Sequence, residues 1–238
     1  MTDVVPAPAV PRIAVRGGGT FPVRRIYCVG RNFADHAREM GAQAPASPET
    51  RGQPVFFMKP ADAIVTDRNV PYPPATRDLH HEVELVVALG ADAPDGDDLA
   101  LERAQALVFG YGIGLDLTRR DLQAAAKAKG LPWDTAKGFD HSAPVSRLVA
   151  AAEFGDLGDH TLSLQVNGEI RQRSRLDAMI WSVPEILHEL SKLYALRAGD
   201  LVFMGTPAGV AALRPGDRCH AALDDVIALD CEIVPARV

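Results

Sequence analysis

The segment His80-His81-Glu82-Val83-Glu84-Leu85-Val86-Val87-Ala88 sets two acids two residues apart in an otherwise apolar run. In an extended strand Glu82 and Glu84 point to one face, and Val83, Leu85 and Val87 to the other. Such a pair ordinarily belongs to a solvated strand face. Here the acidic face continues into Val86 and Ala88, so the strand enters a core and carries its carboxylates at the mouth of a pocket. Their mutual repulsion calls for a cation or a proton. Asp116 follows the glycine-rich stretch Phe109 to Leu115. Its ordinary role is to cap the helix-like segment after it, but a third carboxylate at a strand end would complete a hard oxygen site. Three carboxylates without a paired Cys or His scaffold favour Mg2+ or Mn2+, with the remaining positions open to water or chelating substrate oxygens. His80 shares the Glu82 face and is a rival ligand or base, whereas His81 is expected to be packed.

His36 and Glu39 stand three residues apart on a short helix, where the carboxylate can orient the imidazole or strengthen it as a base. A surface pair is the common outcome of this spacing. The position after Val29-Gly30-Arg31-Asn32, at a strand-to-helix junction, favours a dyad. Lys137, within Ala136-Lys137-Gly138-Phe139, and Thr206, within Gly205-Thr206-Pro207, identify no site alone.

The elements that must position these groups are mixed. Residues 1–22, rich in Pro and Gly, read as an extended arm or small hairpin leading to a strand at Arg25 to Val29. Phe33 to Met40 suits a short helix. Gly41 to Gln53 has no periodicity and reads as a mobile loop, for which a lid over His36 and Glu39 is one explanation. Val83 to Leu89 and Leu107 to Leu115 are strand candidates, and Leu117 to Lys129 has helical composition ending at Gly130. Asn167-Gly168 between Leu162–Val166 and Glu169–Arg173 signals a two-residue hairpin. Ser182, Pro184 and Glu185 mark a helix start with a capping box. The pattern is α+β, strand-rich with helices at the periphery.

The 238 residues are 47% hydrophobic, enough for one sizeable core, with a net charge of -6. No basic run suggests nucleic acid or an anionic membrane, and no segment has the length and character of a membrane span or leader. A cytoplasmic enzyme acting on a small molecule is expected. Cys28, Cys219 and Cys231 suit reduced, mostly buried thiols.

Taken together, Val29-Gly30-Arg31-Asn32-Phe33-Ala34-Asp35-His36, the Glu82/Glu84 pair, Asp116 to Gln123, Lys137-Gly138-Phe139 and Gly205-Thr206-Pro207 resemble the fumarylacetoacetate hydrolase superfamily in its motif order. The resemblance implies a mixed β-roll over residues 24–238 after an N-terminal arm at 1–23, and a homodimer. It further implies Mg2+ or Mn2+ held by Glu82, Glu84 and Asp116, and a water-activating dyad of His36 and Glu39. Lys137 and Gln123 match oxyanion-stabilising groups, and Arg31, Arg120 and Thr206 match substrate-contacting positions. Phe56-Phe57-Met58-Lys59-Pro60 and Asp177-Ala178-Met179-Ile180-Trp181 resemble bacterial members that hydrolyse fumarylpyruvate to fumarate and pyruvate in gentisate-type aromatic catabolism. The expected activity is therefore cleavage of a carbon–carbon bond in an acylpyruvate, a 2,4-diketo acid. Oxaloacetate decarboxylation is the nearest rival, and a non-catalytic metal- or ligand-binding protein of the same fold is a third reading.

Overall fold

The computed structural model describes residues 3–39, 41, 50–94, 99–236. Residues 42–49, most of the stretch read as a lid, lie outside the described residues.

Two sheets carry the architecture. The first has six strands in the order Val149–Ala150, Val108–Leu115, Val83–Leu89, Asp200–Phe203, Arg25–Gly30 and Val55–Lys59. It is mixed, because Asp200–Phe203 runs parallel to Arg25–Gly30 and antiparallel to Val83–Leu89. The second has five strands in the order Glu169–Arg175, Thr161–Val166, Arg218–Leu223, Ile227–Val234 and Asn69–Pro71. Short helices at Ala34–Glu39, Leu101–Ala106, Arg120–Ala128, Asp134–Lys137 and Val183–Ser191 surround them, which is the α+β arrangement expected from the sequence. Among the described residues no helix is long and apolar enough to cross a membrane.

Both faces of the six-stranded sheet are covered, and this explains the nearly continuous apolar runs of its central strands. Tyr27, Val29, Leu85 and Val87 pack into a large cluster with Leu162, Leu164 and Ile233 of the second sheet. Alternate residues of the same strands, Ile26, Cys28, Val86 and Ala88, face a smaller cluster with Leu201 and Phe203. Residues 12–22 take the hairpin alternative, Arg12–Ala14 pairing with Thr20–Pro22, and add Ile13 and Phe21 to that smaller cluster. The three cysteines are buried free thiols.

Several local readings of the sequence are reproduced and others shift. Asn167 and Gly168 both take positive φ, 55° and 84°, in the turn between Thr161–Val166 and Glu169–Arg175. The capping box at Ser182 forms, the Glu185 carboxylate accepting from the Ser182 backbone N–H at 2.8 Å. The helix read as starting near Leu117 begins instead at Arg120, because Thr118–Arg119 pairs as a strand with Leu79–His80. Asp116 therefore caps nothing, and its carboxylate is left for other work. The strand read from Leu107 begins at Val108, since Leu107 closes the helix Leu101–Ala106.

The glycines of Val108–Leu115 have a packing reason. Gly110, Gly112 and Gly114 alternate along one face. A Cβ on Gly110 would stand 2.2 Å from the Val149 carbonyl oxygen, and one on Gly114 2.4 Å from the Phe203 ring. Only a side-chain-free face lets these neighbours approach. Gly114→Ala is expected to cost about 1–3 kcal/mol through overpacking. Gly155→Ala, where an added Cβ meets nothing within 4 Å, should change stability by less than about 1 kcal/mol. Urea midpoints measured side by side check this, and equal midpoints for the two variants would refute the steric account.

Candidate active site

The antiparallel pairing of Val83–Leu89 with Val108–Leu115 gathers the acids. Val83 lies opposite Leu115 and Glu84 opposite Gly114, while the Asp116 N–H donates to the Glu82 carbonyl at 2.8 Å. Glu82, Glu84 and Asp116 thus meet at one end of the ladder, each offering an oxygen within 4.8 Å of the others, and all three are buried. Glu82 sits at the strand entrance, and the strand beyond it is buried along its whole length, as the continuation into Val86 and Ala88 implied.

Buried carboxylates need partners. Lys137, only 2% exposed, places Nζ 2.7 Å from Glu82 Oε2 and 2.6 Å from Asp116 Oδ2. Arg120 donates from Nη2 to Glu82 Oε1 and from Nη1 to Gln123 Oε1. Burial acts to raise the Glu82 carboxyl, but Lys137 and Arg120 outweigh it and hold it well below the usual carboxylate range. Burial likewise acts against the Lys137 ammonium, yet Asp116 and Glu82 push it up to about 12. Among the described residues Glu84 has no cation of its own. The Gly205 N–H donates to its Oε2 at 2.8 Å, while burial, then Asp116 and Glu82, push its pKa well above the ordinary value.

A divalent cation fits this donor set. All three groups are hard oxygen donors, Glu84 carries uncompensated repulsion, and Asp116 Oδ1 has no hydrogen-bond partner. Lys59 Nζ does come within 2.8 Å of that oxygen. The contact is an ion pair without hydrogen-bond geometry, since Nζ donates to the Leu117 carbonyl at 3.1 Å and to the Lys137 carbonyl.

His36 opens on the same cleft, and its Nδ1 lies 3.2 Å from Glu39 Oε2. The Glu39 carboxylate is itself held by the Gly209 N–H at 3.1 and 3.2 Å. With Nδ1 committed to Glu39, Nε2 is the nitrogen left for chemistry. Burial lowers the His36 pKa, against the opposing pull of Glu82 and Glu39, which favours the neutral imidazole, the form able to accept a proton. Asn32 ties this junction down by donating to the Trp181 and Met204 carbonyls, at 3.0 and 2.8 Å, and accepting from the Trp181 N–H at 2.8 Å. Gly205, at φ 89°, packs so closely on Asn32 and Val29 that a Cβ would stand 2.7 Å from Asn32 Cβ.

The cleft is lined by Arg31, His36, Glu82, Glu84, Asp116, Arg120, Gln123, Lys137 and Thr206, together with Phe57, Lys127 and Trp133. Glu39 stands behind His36. Thr206 accepts from Gln172 Nε2 at 2.8 Å and is buried. His80, the rival ligand, lies outside the carboxylate cluster. It bonds Asp78 at 2.9 Å and accepts a long contact from Arg120 Nε at 3.4 Å, so it bears on the guanidinium. His81 is buried against Gln172 at 2.9 Å. Sequence reasoning missed Lys59, whose only signal is a lysine closing the apolar strand Val55–Lys59. It also missed Gln172, buried in an otherwise polar strand with no signal at all.

If the cluster is the cation site, Mn2+ at about a hundred times its Kd should stabilise the fold by about 2.7 kcal/mol, read as a rise in Tm. Glu84→Gln keeps the volume and removes one anionic ligand, so most of that rise should vanish. An undiminished rise in Glu84→Gln would place the ion elsewhere.

The chain matches the family model described as fumarylacetoacetate (FAA) hydrolase C-terminal over residues 25–234. The fumarylpyruvate hydrolase of Pseudomonas aeruginosa, solved in complex with Mn2+ and pyruvate, is 46% identical with a TM-score of 0.90, covering 98% of this chain and all of that one. An oxaloacetate tautomerase of Escherichia coli (strain K12) is 41% identical over 206 residues, covering 86% of this chain and 90% of the relative. A mitochondrial oxaloacetate decarboxylase of Dictyostelium discoideum is 38% identical over 195 residues, covering 81% and 85%. The fold is the mixed α+β fold of these relatives, and the chain belongs to the fumarylacetoacetate hydrolase family.

Proposed function

We propose that this chain is a divalent-metal-dependent acylpyruvate hydrolase whose main substrate is fumarylpyruvate, cleaved to fumarate and pyruvate. The observation that carries this reading is His36, paired with Glu39 behind it, facing the same cleft as the buried carboxylates and Lys137. The likeness to the Pseudomonas aeruginosa fumarylpyruvate hydrolase supports it. The family resemblance of the sequence further suggests a homodimer, and its composition a cytoplasmic location.

Mg2+ or Mn2+ held by Glu82, Glu84 and Asp116 would act as a Lewis acid on the diketo-acid oxygens. His36 Nε2 takes a proton from water, Glu39 holding Nδ1–H and supporting the imidazolium that results. The hydroxide equivalent adds to the acyl carbonyl next to the unsaturated chain. The resulting alkoxide is stabilised by the Lys137 ammonium and by the Gln123 amide, whose oxygen is already engaged by Arg120 and whose nitrogen is left to donate. Breaking the carbon–carbon bond releases fumarate and the pyruvate carbanion, which recovers the proton from His36. Arg31, Arg120 and Thr206 contact the bound substrate.

A second reading is favoured by the oxaloacetate tautomerase and decarboxylase relatives. There His36 would move a proton without any water attack, or take no part while carbon dioxide leaves. Incubating the Mn2+- and Mg2+-loaded protein with fumarylpyruvate, acetylpyruvate and oxaloacetate, and following fumarate, pyruvate, carbon dioxide and the enol, separates the readings. Faster turnover of oxaloacetate than of any acylpyruvate would overturn the hydrolase assignment.

His36→Ala is expected to lower acylpyruvate hydrolysis about 100- to 10,000-fold, with Glu39→Gln losing less. Because burial depresses the His36 pKa, the neutral base persists to lower pH than for an ordinary histidine. Activity should therefore be lost only as pH falls through a value below about 6.5. Since kcat/KM reports the free enzyme, an acid limb above that value, or unchanged hydrolysis in His36→Ala, would remove His36 from the role of base.

A further inference from the structure

Helix Arg120–Ala128 presents Arg120, Gln123 and Lys127 at i, i+3 and i+7, one stripe of one helical face, and all three line the cleft. The inner two are engaged, Arg120 bonding both Glu82 and Gln123. Lys127 lies two turns further out, about 10 Å along the axis from Arg120, exposed at the cleft mouth. Among the described residues no carboxylate pairs with its ammonium. Its Nζ stands 5.1 Å from the centroid of the Trp133 ring, and that ring lies 6.2 Å from Phe57. Partial burial, then repulsion from Arg120 and Arg31, lower its pKa from the usual lysine value. An unneutralised cation is thus held beside other cations and an aromatic wall, an arrangement that an arriving anion relieves.

We propose that Lys127 binds the terminal carboxylate of a long dicarboxylate substrate, whose flat unsaturated middle lies along Phe57 and Trp133 and whose diketo end reaches Glu82, Glu84 and Asp116. This deepens the acylpyruvate hydrolase reading and rests on it. A seven-carbon diacid such as fumarylpyruvate spans the distance from the Arg120 end to Lys127. Four-carbon oxaloacetate is too short to do so, and acetylpyruvate has no terminal carboxylate. Lys127 is therefore a specificity residue, selecting the length and the far charge of the substrate while leaving the bond-breaking groups untouched.

Steady-state kinetics of the Mn2+-loaded wild type, Lys127→Gln and Lys127→Arg on fumarylpyruvate, acetylpyruvate and oxaloacetate test this. Lys127→Gln should raise KM for fumarylpyruvate and lower kcat/KM about ten- to a hundredfold, as for a lost charge-assisted hydrogen bond, with less than about threefold change on the other two substrates. Lys127→Arg should restore most of the loss. Equal losses on all substrates, or none on fumarylpyruvate, would overturn the subsite and leave the hydrolase reading standing. Calorimetric binding of fumarate supplies a readout independent of turnover, and should weaken in Lys127→Gln by a similar factor. A wild type that hydrolyses no acylpyruvate yet binds fumarate through Lys127 would remove the hydrolase reading and keep the subsite. Fumarate binding that ignores Lys127 would remove the subsite.

Discussion

Three buried carboxylates within ligand distance of one another are the constraint from which the rest of the site follows. Removing such charges from water costs several kcal/mol per ion unless each is paired and hydrogen-bonded. Lys137 bridges Glu82 and Asp116, Arg120 closes on Glu82, and the Gly205 N–H is all that Glu84 receives. The remaining imbalance is concentrated on Glu84, since the second oxygen of Asp116 lies 2.8 Å from Lys59 Nζ. A fold arranged only for stability would replace such a cluster with apolar side chains. Its presence in the lining of a cleft is the structural reason for reading it as a cation site.

The constraint also orders the surrounding chain. Lys59, at the end of an edge strand, reaches across to two backbone carbonyls and Asp116, fixing the loop that carries Asp116 and the short helix that carries Lys137. Asn32 binds the Arg25–Gly30 strand exit to the segments around Trp181 and Met204, and Gly205 then brings its N–H to Glu84. His36 and Glu39 ride on that same exit, with Gly209 holding the carboxylate. The His36–Glu39 pair and the Gly205 N–H that meets Glu84 are therefore positioned by one set of tertiary contacts, and a change at Asn32 would disturb them together.

Much of this was legible in the sequence, for physical reasons that differ from residue to residue. Glu82 and Glu84 stood out because strand alternation set two charges against an apolar continuation, and His36 and Glu39 because helical spacing brings i and i+3 together. The third carboxylate was harder to read. Asp116 has the appearance of a helix cap, and only the non-local pairing of Thr118–Arg119 with Leu79–His80 delays the helix and frees the carboxylate. Lys59 and Gln172 were hidden because their burial depends entirely on strands distant in sequence. Lys127 sits on a stripe that the Arg120–Gln123 spacing already implied, but its meaning required the aromatic rings beside it. The fold class emerged from the mixture of strand and helix patterns, whereas the order of the strands required long-range register that no local pattern carries.

Diffraction at the manganese absorption edge, from crystals of this protein grown with Mn2+ and pyruvate, tests the central claim most directly. The account predicts one anomalous peak per chain within bonding distance of one oxygen each from Glu82, Glu84 and Asp116, with pyruvate beside it in the cleft lined by His36 and Lys137. A peak at any other site, or pyruvate bound away from that cluster, would contradict it.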